Sequence, residues 1–330
     1  MDATLSGTPV AVIGATGFIG SHLCERLASL GARILAISRS SARLASLSDI
    51  TGDIQFQALD ILDSQGLANS LRTFAPKKVF HLAGCPDASE SFEHMTRVFT
   101  ENTLGTINVM QASVECGADT VVYADTSKVF GNTVEPYTVY TPYLPECSYA
   151  MAKSAAWDVC RLVSSLHSHL SVVSLRPTLV YGPRQNWNLL TYVKQCVDAK
   201  RPVILQGGSQ TRDPLFVEDA VEAFVLASVC PSARNLAIPI GGGHEITVAE
   251  MCAEILSVLG SDSEIAVGGQ APRPTEIWRS HCSNADASRL LGWAPRTNFN
   301  TGLRKSFGVV QSGTVSSEKP AAWKAVGAGR

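Results

Sequence analysis

Short apolar runs, each bounded by glycine or polar residues, recur along the first half of the chain. Val10–Ile13, Arg33–Ile37, Ile54–Leu59, Lys78–Leu82, Thr120–Ala124 and Ser171–Leu175 are rich in β-branched residues, which predicts strands. Between them lie helical patterns: Phe18–Leu30, closed by Gly31 where a helix stop belongs, then Phe92–Cys116 and Tyr149–His167. Strands that alternate with helices make βαβ units and a parallel sheet buried on both faces. The expected fold is therefore α/β, a Rossmann-type doubly wound parallel sheet.

After Pro177 the pattern loosens, and Gly207-Gly208, Gly241-Gly242-Gly243, Pro272 and Pro274 punctuate short helices. We read residues 1–176 as the sheet domain, with later segments returning to it, and 177–311 as mainly a smaller irregular C-terminal lobe. The tail from Ser312 to Arg330 is rich in Ser, Ala, Gly and Lys, a composition expected to be disordered. No internal repeat is visible.

Composition narrows the function. The 330 residues carry 27 Lys+Arg against 29 Asp+Glu, a net charge of −2. Such a chain without a basic stripe argues against nucleic acid as the main partner. Hydrophobic residues make up 45%, enough for a sizeable core. The nine cysteines are scattered, odd in number and without a CxxC pair, so neither a disulfide framework nor a zinc site is expected. Reduced thiols suit a cytoplasmic location. No apolar run approaches the ~18 residues of a membrane span, and Met1–Pro9 lacks the pattern of a signal peptide.

Strand Val10–Ile13 runs into Gly14-Ala15-Thr16-Gly17-Phe18-Ile19-Gly20 and then a helix. Glycines at this GxxGxxG spacing permit a tight turn and let backbone approach a pyrophosphate at a helix N-terminus. The strand–loop–helix context makes this a dinucleotide site. The end of the second strand reads Ser38-Arg39-Ser40, with Arg43 one turn on. A guanidinium there suits a 2′-phosphate where a carboxylate would suit free ribose hydroxyls, so NADP is expected, with NAD second. Tyr149 and Lys153 form a YxxxK pair on one helix face. An ammonium beside a phenol lowers its pKa and lets it exchange a proton near neutral pH. Thr126 stands at the end of strand Thr120–Ala124, where strand ends line the ligand crevice. The seven histidines show no ligand spacing, so no metal is expected. Asp125 could act or could cap a turn, and Cys85 reads as filler.

With these residues in view, the chain resembles an extended short-chain dehydrogenase/reductase of the sugar-nucleotide epimerase/dehydratase/reductase type. The resemblance covers roughly residues 9 to 310. It rests on Gly14–Gly20, Asp60-Ile61, His81-Leu82-Ala83-Gly84, Asn102 in Glu101-Asn102-Thr103-Leu104-Gly105-Thr106, Thr126 before Val129-Phe130-Gly131, and Tyr149/Lys153. Arg176-Pro177, Gln210-Thr211-Arg212-Asp213, Arg273-Pro274 and Leu290-Leu291-Gly292-Trp293 extend it. It implies that Asp60 and Ile61 contact the adenine, that Leu82, Ala83, Gly84 and Asn102 line the cofactor, and that Lys153 also holds the nicotinamide ribose. It implies that Arg212 and Arg273 clasp a nucleotide diphosphate, so the lobe 177–311 takes the substrate. It further implies a homodimer, formed by the helices Phe92–Cys116 and Tyr149–His167.

One departure matters. Dehydratases of this type carry an acid just after the threonine, whereas this chain reads Thr126-Ser127-Lys128. Dehydration therefore drops in rank. Arg39, and the Arg-Pro-Thr-Leu-Val-Tyr-Gly-Pro run from Arg176, point to an NADP-dependent reductase of a keto sugar nucleotide, with Tyr149 protonating the oxygen. The alternative is an NDP-sugar epimerase with tightly bound cofactor, followed by a dehydratase or a non-catalytic dinucleotide-binding protein.

Overall fold

The computed structural model describes residues 5–40, 47, 49–86, 90–185, 188–268 and 274–309. Arg43, Arg273 and the tail 312–330 lie outside the described residues. Strand β1 (Pro9–Ile13) sits mid-sheet because its side chains are apolar on both sides. Val10 and Val12 face one hydrophobic cluster, with Leu23, Leu27, Phe224 and Ile255, and Ala11 and Ile13 face a second, with Leu71, Met110 and Trp157. Helices accordingly cover both faces.

The remaining sheet strands are β2 (Arg33–Ser38), β3 (Ile54–Ala58), β4 (Lys78–His81), β5 (Thr120–Ala124), β6 (Ser171–Pro177) and the strand Ala237–Ile240. Across the sheet the order is Ala237–Ile240, β6, β5, β4, β1, β2, β3, and every pairing is parallel. The six predicted strands are all present, within two residues at each end. The seventh escapes the apolar pattern because Pro239 interrupts it. Proline cannot donate to a ladder and is tolerated at an edge, which is where this strand lies. The chain builds outward from β1 to β3, then crosses back to β4. That reversal opens a crevice at the strands' carboxyl ends.

Helix α1 (Phe18–Ser29) follows the glycine loop, and α2 (Ser64–Phe74) is capped by Asp63, whose carboxylate accepts from Gly66 N at 2.9 Å. The predicted helix Phe92–Cys116 is broken in register: α3 (Phe92–Phe99) passes through a π-turn, Thr100–Leu104, into α4 (Gly105–Glu115). Helix α5 (Ser148–Leu166) buries Trp157 and Cys160 against the sheet. Among the described residues no helix is long and apolar enough to cross a membrane.

A buried ion pair joins the ends of β5 and β6. Arg176 Nε donates to Asp125 Oδ2 at 2.7 Å, with both side chains no more than 1% exposed. Ser174 Oγ donates to the same oxygen at 3.0 Å, and Asp125 Oδ1 accepts from Thr126 N at 2.9 Å. The guanidinium lies over the rings of Phe130 and Tyr143, at 5.1 and 4.2 Å. Removing one partner of such a pair strands a buried charge, at a cost of about 3–5 kcal/mol, whereas replacing both by apolar groups is far milder. Asp125→Ala should therefore lose about 3–5 kcal/mol of unfolding free energy in a denaturant titration. Asp125→Leu/Arg176→Met should recover much of that loss.

Candidate active site

The glycine loop is shaped by close approaches. Gly14 has φ 93°, and a Cβ there would lie 2.7 Å from Ala83 N. A Cβ on Gly20 would collide with the Gly14 carbonyl oxygen. Gly14 N donates to Ile37 O at 2.8 Å, and Thr16 Oγ1 meets Ser38 Oγ at 2.6 Å. The loop is thus tied to the end of β2. Gly17 caps α1 with no side-chain bond, and no acid occupies the first turn. The N–H groups and positive end of the helix dipole are left to an anion.

From this loop a cleft of about 840 Å³ runs past Leu82, Ala83, Gly84 and Cys85 to Thr126, Tyr149 and Lys153. It continues at one end into a pocket of about 140 Å³ lined by Ser38, Arg39, Asp60, Ile61 and Glu101, sharing Gly14, Thr16 and Gly17. At the other end it shares Thr126 and Thr178 with a pocket of about 240 Å³ that holds Ser127, Lys128, Arg212 and Glu276. The three form one trough. Its glycine-walled middle and its length fit a dinucleotide with a second ligand beyond it.

The structure brings Thr126, Tyr149 and Lys153 to the join between the cleft and the second pocket. Lys153 is 4% exposed. Its Nζ donates to Ala124 O at 2.5 Å and lies 4.1 Å from the centre of the Tyr123 ring. Burial pulls its pKa down to about 8, and the Asp125 charge works in the opposite sense. Tyr149 is half-buried. Desolvation pushes its hydroxyl well up, Asp125 adds to that, and a hydrogen bond with the Thr126 hydroxyl opposes it. The Lys153 ammonium itself is held by a backbone carbonyl, and the group that lowers the Tyr149 hydroxyl is the Thr126 side chain. The cation over the Tyr149 ring is Lys128, at 5.9 Å. Along the sequence, Lys128 stands out only as the place where an acid is missing.

Asn102 lines the cleft with its amide already engaged. It is 1% exposed. Its Oδ1 accepts from Cys85 N at 3.1 Å, and its Nδ2 donates to Cys85 O and Val98 O, both at 3.0 Å. It borders the cleft, yet its amide is committed to clamping the loop after β4 onto the π-turn. Asp60 and Ile61 line the small pocket as expected, and Asp60 Oδ1 also accepts from Leu62 N at 2.9 Å. Arg212 lines the far pocket but is engaged, with Nη2 on Glu276 Oε1 at 2.5 Å and Nη1 on Ile277 O at 2.8 Å. Arg39 Nη1 lies 3.2 Å from Glu101 Oε2, a partner that sequence spacing does not reveal. His81, beneath Leu82, bonds Thr106 Oγ1 at 2.9 Å, and burial pulls it down to about 3, so it stays neutral. Among the described residues no cluster could hold a metal ion.

Lys153 sets a pH dependence of stability. Below pH 8 the folded protein carries the buried ammonium. Between about 8 and its ordinary 10.5 the unfolded chain binds a proton that the folded chain has shed, so this group's contribution to stability rises with pH across that window. The buried Cys24, Cys160 and Cys252 thiols, pushed above their ordinary 9 by desolvation, act in the opposite sense above it. In nucleotide-free protein the Lys153 contribution, read as the difference between wild type and Lys153→Met, should amount to up to about 3 kcal/mol. Lys153→Met should remove it, as thermal unfolding against pH would show.

Residues 10–237 match the family described as "NAD dependent epimerase/dehydratase family". The UDP-glucose 4-epimerase of Mycolicibacterium smegmatis is 29% identical over 305 residues, covering 89% of this chain and 96% of that protein. The UDP-glucuronate 4-epimerase of Thermodesulfobacterium geofontis is 26% identical over 89% of this chain and 94% of its own length. The solved UDP-glucose 4-epimerase of Thermus thermophilus, in complex with NAD, superposes with a TM-score of 0.81 at 27% identity, over 91% of this chain and 98% of that one. With its switch-point trough and its Thr126, Tyr149 and Lys153, the chain belongs to the NAD-dependent epimerase/dehydratase family of extended short-chain dehydrogenases/reductases.

Proposed function

We propose that the protein is a 4-epimerase of a nucleoside-diphosphate sugar, most simply a UDP-hexose, working with NAD. The observation that carries this reading is that Thr126, Tyr149 and Lys153 line the cleft together where it passes into the far pocket, with the Tyr149 and Thr126 hydroxyls hydrogen-bonded. The relatives named above are 4-epimerases, and the solved one carries NAD. They support the epimerase over the NADP-dependent reductase to which Arg39 first pointed.

The N-terminus of α1 and the glycine loop would hold the dinucleotide's diphosphate, Asp60 and Ile61 the adenosine end, and Lys153 the nicotinamide ribose. Nicotinamide, when bound, supplies reversible hydride transfer at a carbon bearing a hydroxyl. Tyr149 takes the proton from that hydroxyl and later returns it. Thr126 holds the oxygen, and the Lys128 ammonium near the Tyr149 ring favours the phenolate. No carboxylate follows Thr126 directly, so this seat offers no acid to drive loss of water. Arg212, steadied by Glu276, supplies positive charge to the diphosphate in the far pocket, within the lobe 177–311.

Two further features belong to the same reading. Phe99, Leu104 and Ile107 on the α3–α4 helix, with Met151 and Leu162 on α5, are exposed apolar side chains, and they support pairing of two copies through these helices. The nine free cysteines suit a reducing cytosol.

Incubation with UDP-glucose, UDP-N-acetylglucosamine and UDP-glucuronate, followed by proton NMR, should show one of them converted to its 4-epimer without net consumption of dinucleotide. Tyr149→Phe should lower kcat by about 10²–10⁴-fold while dinucleotide binding persists. Stoichiometric oxidation of NADPH by a 4-keto sugar nucleotide, with no epimerisation, would instead establish the reductase.

A further inference from the structure

No carboxylate stands at the end of β2, where the chain reads Ser38-Arg39-Ser40, but one lies across the pocket. Glu101 belongs to the π-turn between α3 and α4. A π-turn shifts helix register by one residue and commonly marks a functional site. Its neighbour Asn102 is fixed by three hydrogen bonds to Cys85 and Val98, so the backbone that carries Glu101 is anchored. The Glu101 side chain is 16% exposed and meets the guanidinium of Arg39, which is 58% exposed, at 3.2 Å. Both line the pocket at the adenosine end of the trough, with Asp60.

We propose that Glu101 sets the choice of dinucleotide: it engages the Arg39 guanidinium and places its own charge in the adenosine pocket, selecting NAD against NADP. This rests on the reading that the trough binds a nicotinamide dinucleotide. Among the described residues, the charged groups lining this pocket are Arg39, Asp60 and Glu101, one cation against two carboxylates. A phosphate monoester brings a charge of about −1.5 to −2, and it would have to share Arg39 with Glu101 and lie beside that carboxylate. Ribose hydroxyls can donate to a carboxylate and meet no such repulsion.

Calorimetric titration of nucleotide-free protein with NAD and with NADP tests this without reference to sugar conversion. The wild type should bind NAD more tightly. Glu101→Gln should shift the ratio of dissociation constants toward NADP by roughly tenfold, because Arg39 is released to the phosphate. If Glu101→Gln does not fold, Arg39→Ala carries the comparison, and it should weaken NADP further because Glu101 is left unopposed. A wild type that prefers NADP, a ratio unmoved by Glu101→Gln, a gain of NADP affinity in Arg39→Ala, or binding of neither dinucleotide would each overturn the proposal. A protein that binds NAD and epimerises no sugar would overturn the epimerase reading alone.

Discussion

The buried ammonium of Lys153, held by the Ala124 carbonyl at the end of β5, is the contact on which the site depends. It pins the first turns of α5 to the sheet. Tyr149, one turn earlier on the same helix face, is thereby set beside Thr126, which leaves the end of the same strand. A cation in this position is costly to desolvate, which is why its pKa falls to about 8. The neighbouring Asp125 offsets part of that cost and is itself balanced by Arg176. Two buried cations and one buried carboxylate thus hold the carboxyl ends of β5 and β6 in place.

The other half of the site is built by absence of side chains. Gly14 and Gly20 allow the loop to lie against Ala83 and against itself. The uncapped start of α1 then faces the cleft. The two devices differ in kind: a rigid ionic frame beneath Thr126 and Tyr149, and a bare backbone at the start of α1. Chain order places them on opposite sides of the switch between β1 and β4, and the trough is the gap between them.

The strands β1, β2, β4, β5 and β6 were legible because each is a short apolar run largely buried by its neighbours, and the half-exposed edge strand β3 because Ile54 and Phe56 alternate with glutamines. The edge strand Ala237–Ile240 was hidden by Pro239. The π-turn was hidden because a one-residue register shift leaves the apolar pattern of Phe92–Cys116 almost unchanged. Gly14, Gly17, Gly20, Thr126, Tyr149 and Lys153 stand out by their spacing, and the fold brings them to one cleft. Their partners do not stand out. Lys153 answers to a backbone carbonyl, Arg212 to Glu276, and Arg39 to Glu101. Each contact joins segments distant along the chain. Arg39 read in isolation pointed to NADP and to a reductase; with Glu101 beside it, the same guanidinium carries a different meaning.

The central claim is that Tyr149 moves a proton while the hydride never leaves the trough. Deuterium placed at C4 of the UDP-sugar that proves to be the substrate follows that hydride directly. Mass and NMR analysis should find the label still at C4 in the epimerised product, with none gained from deuterated water. Loss of the label to solvent, or its transfer to dinucleotide recovered from bulk solution, would contradict the claim.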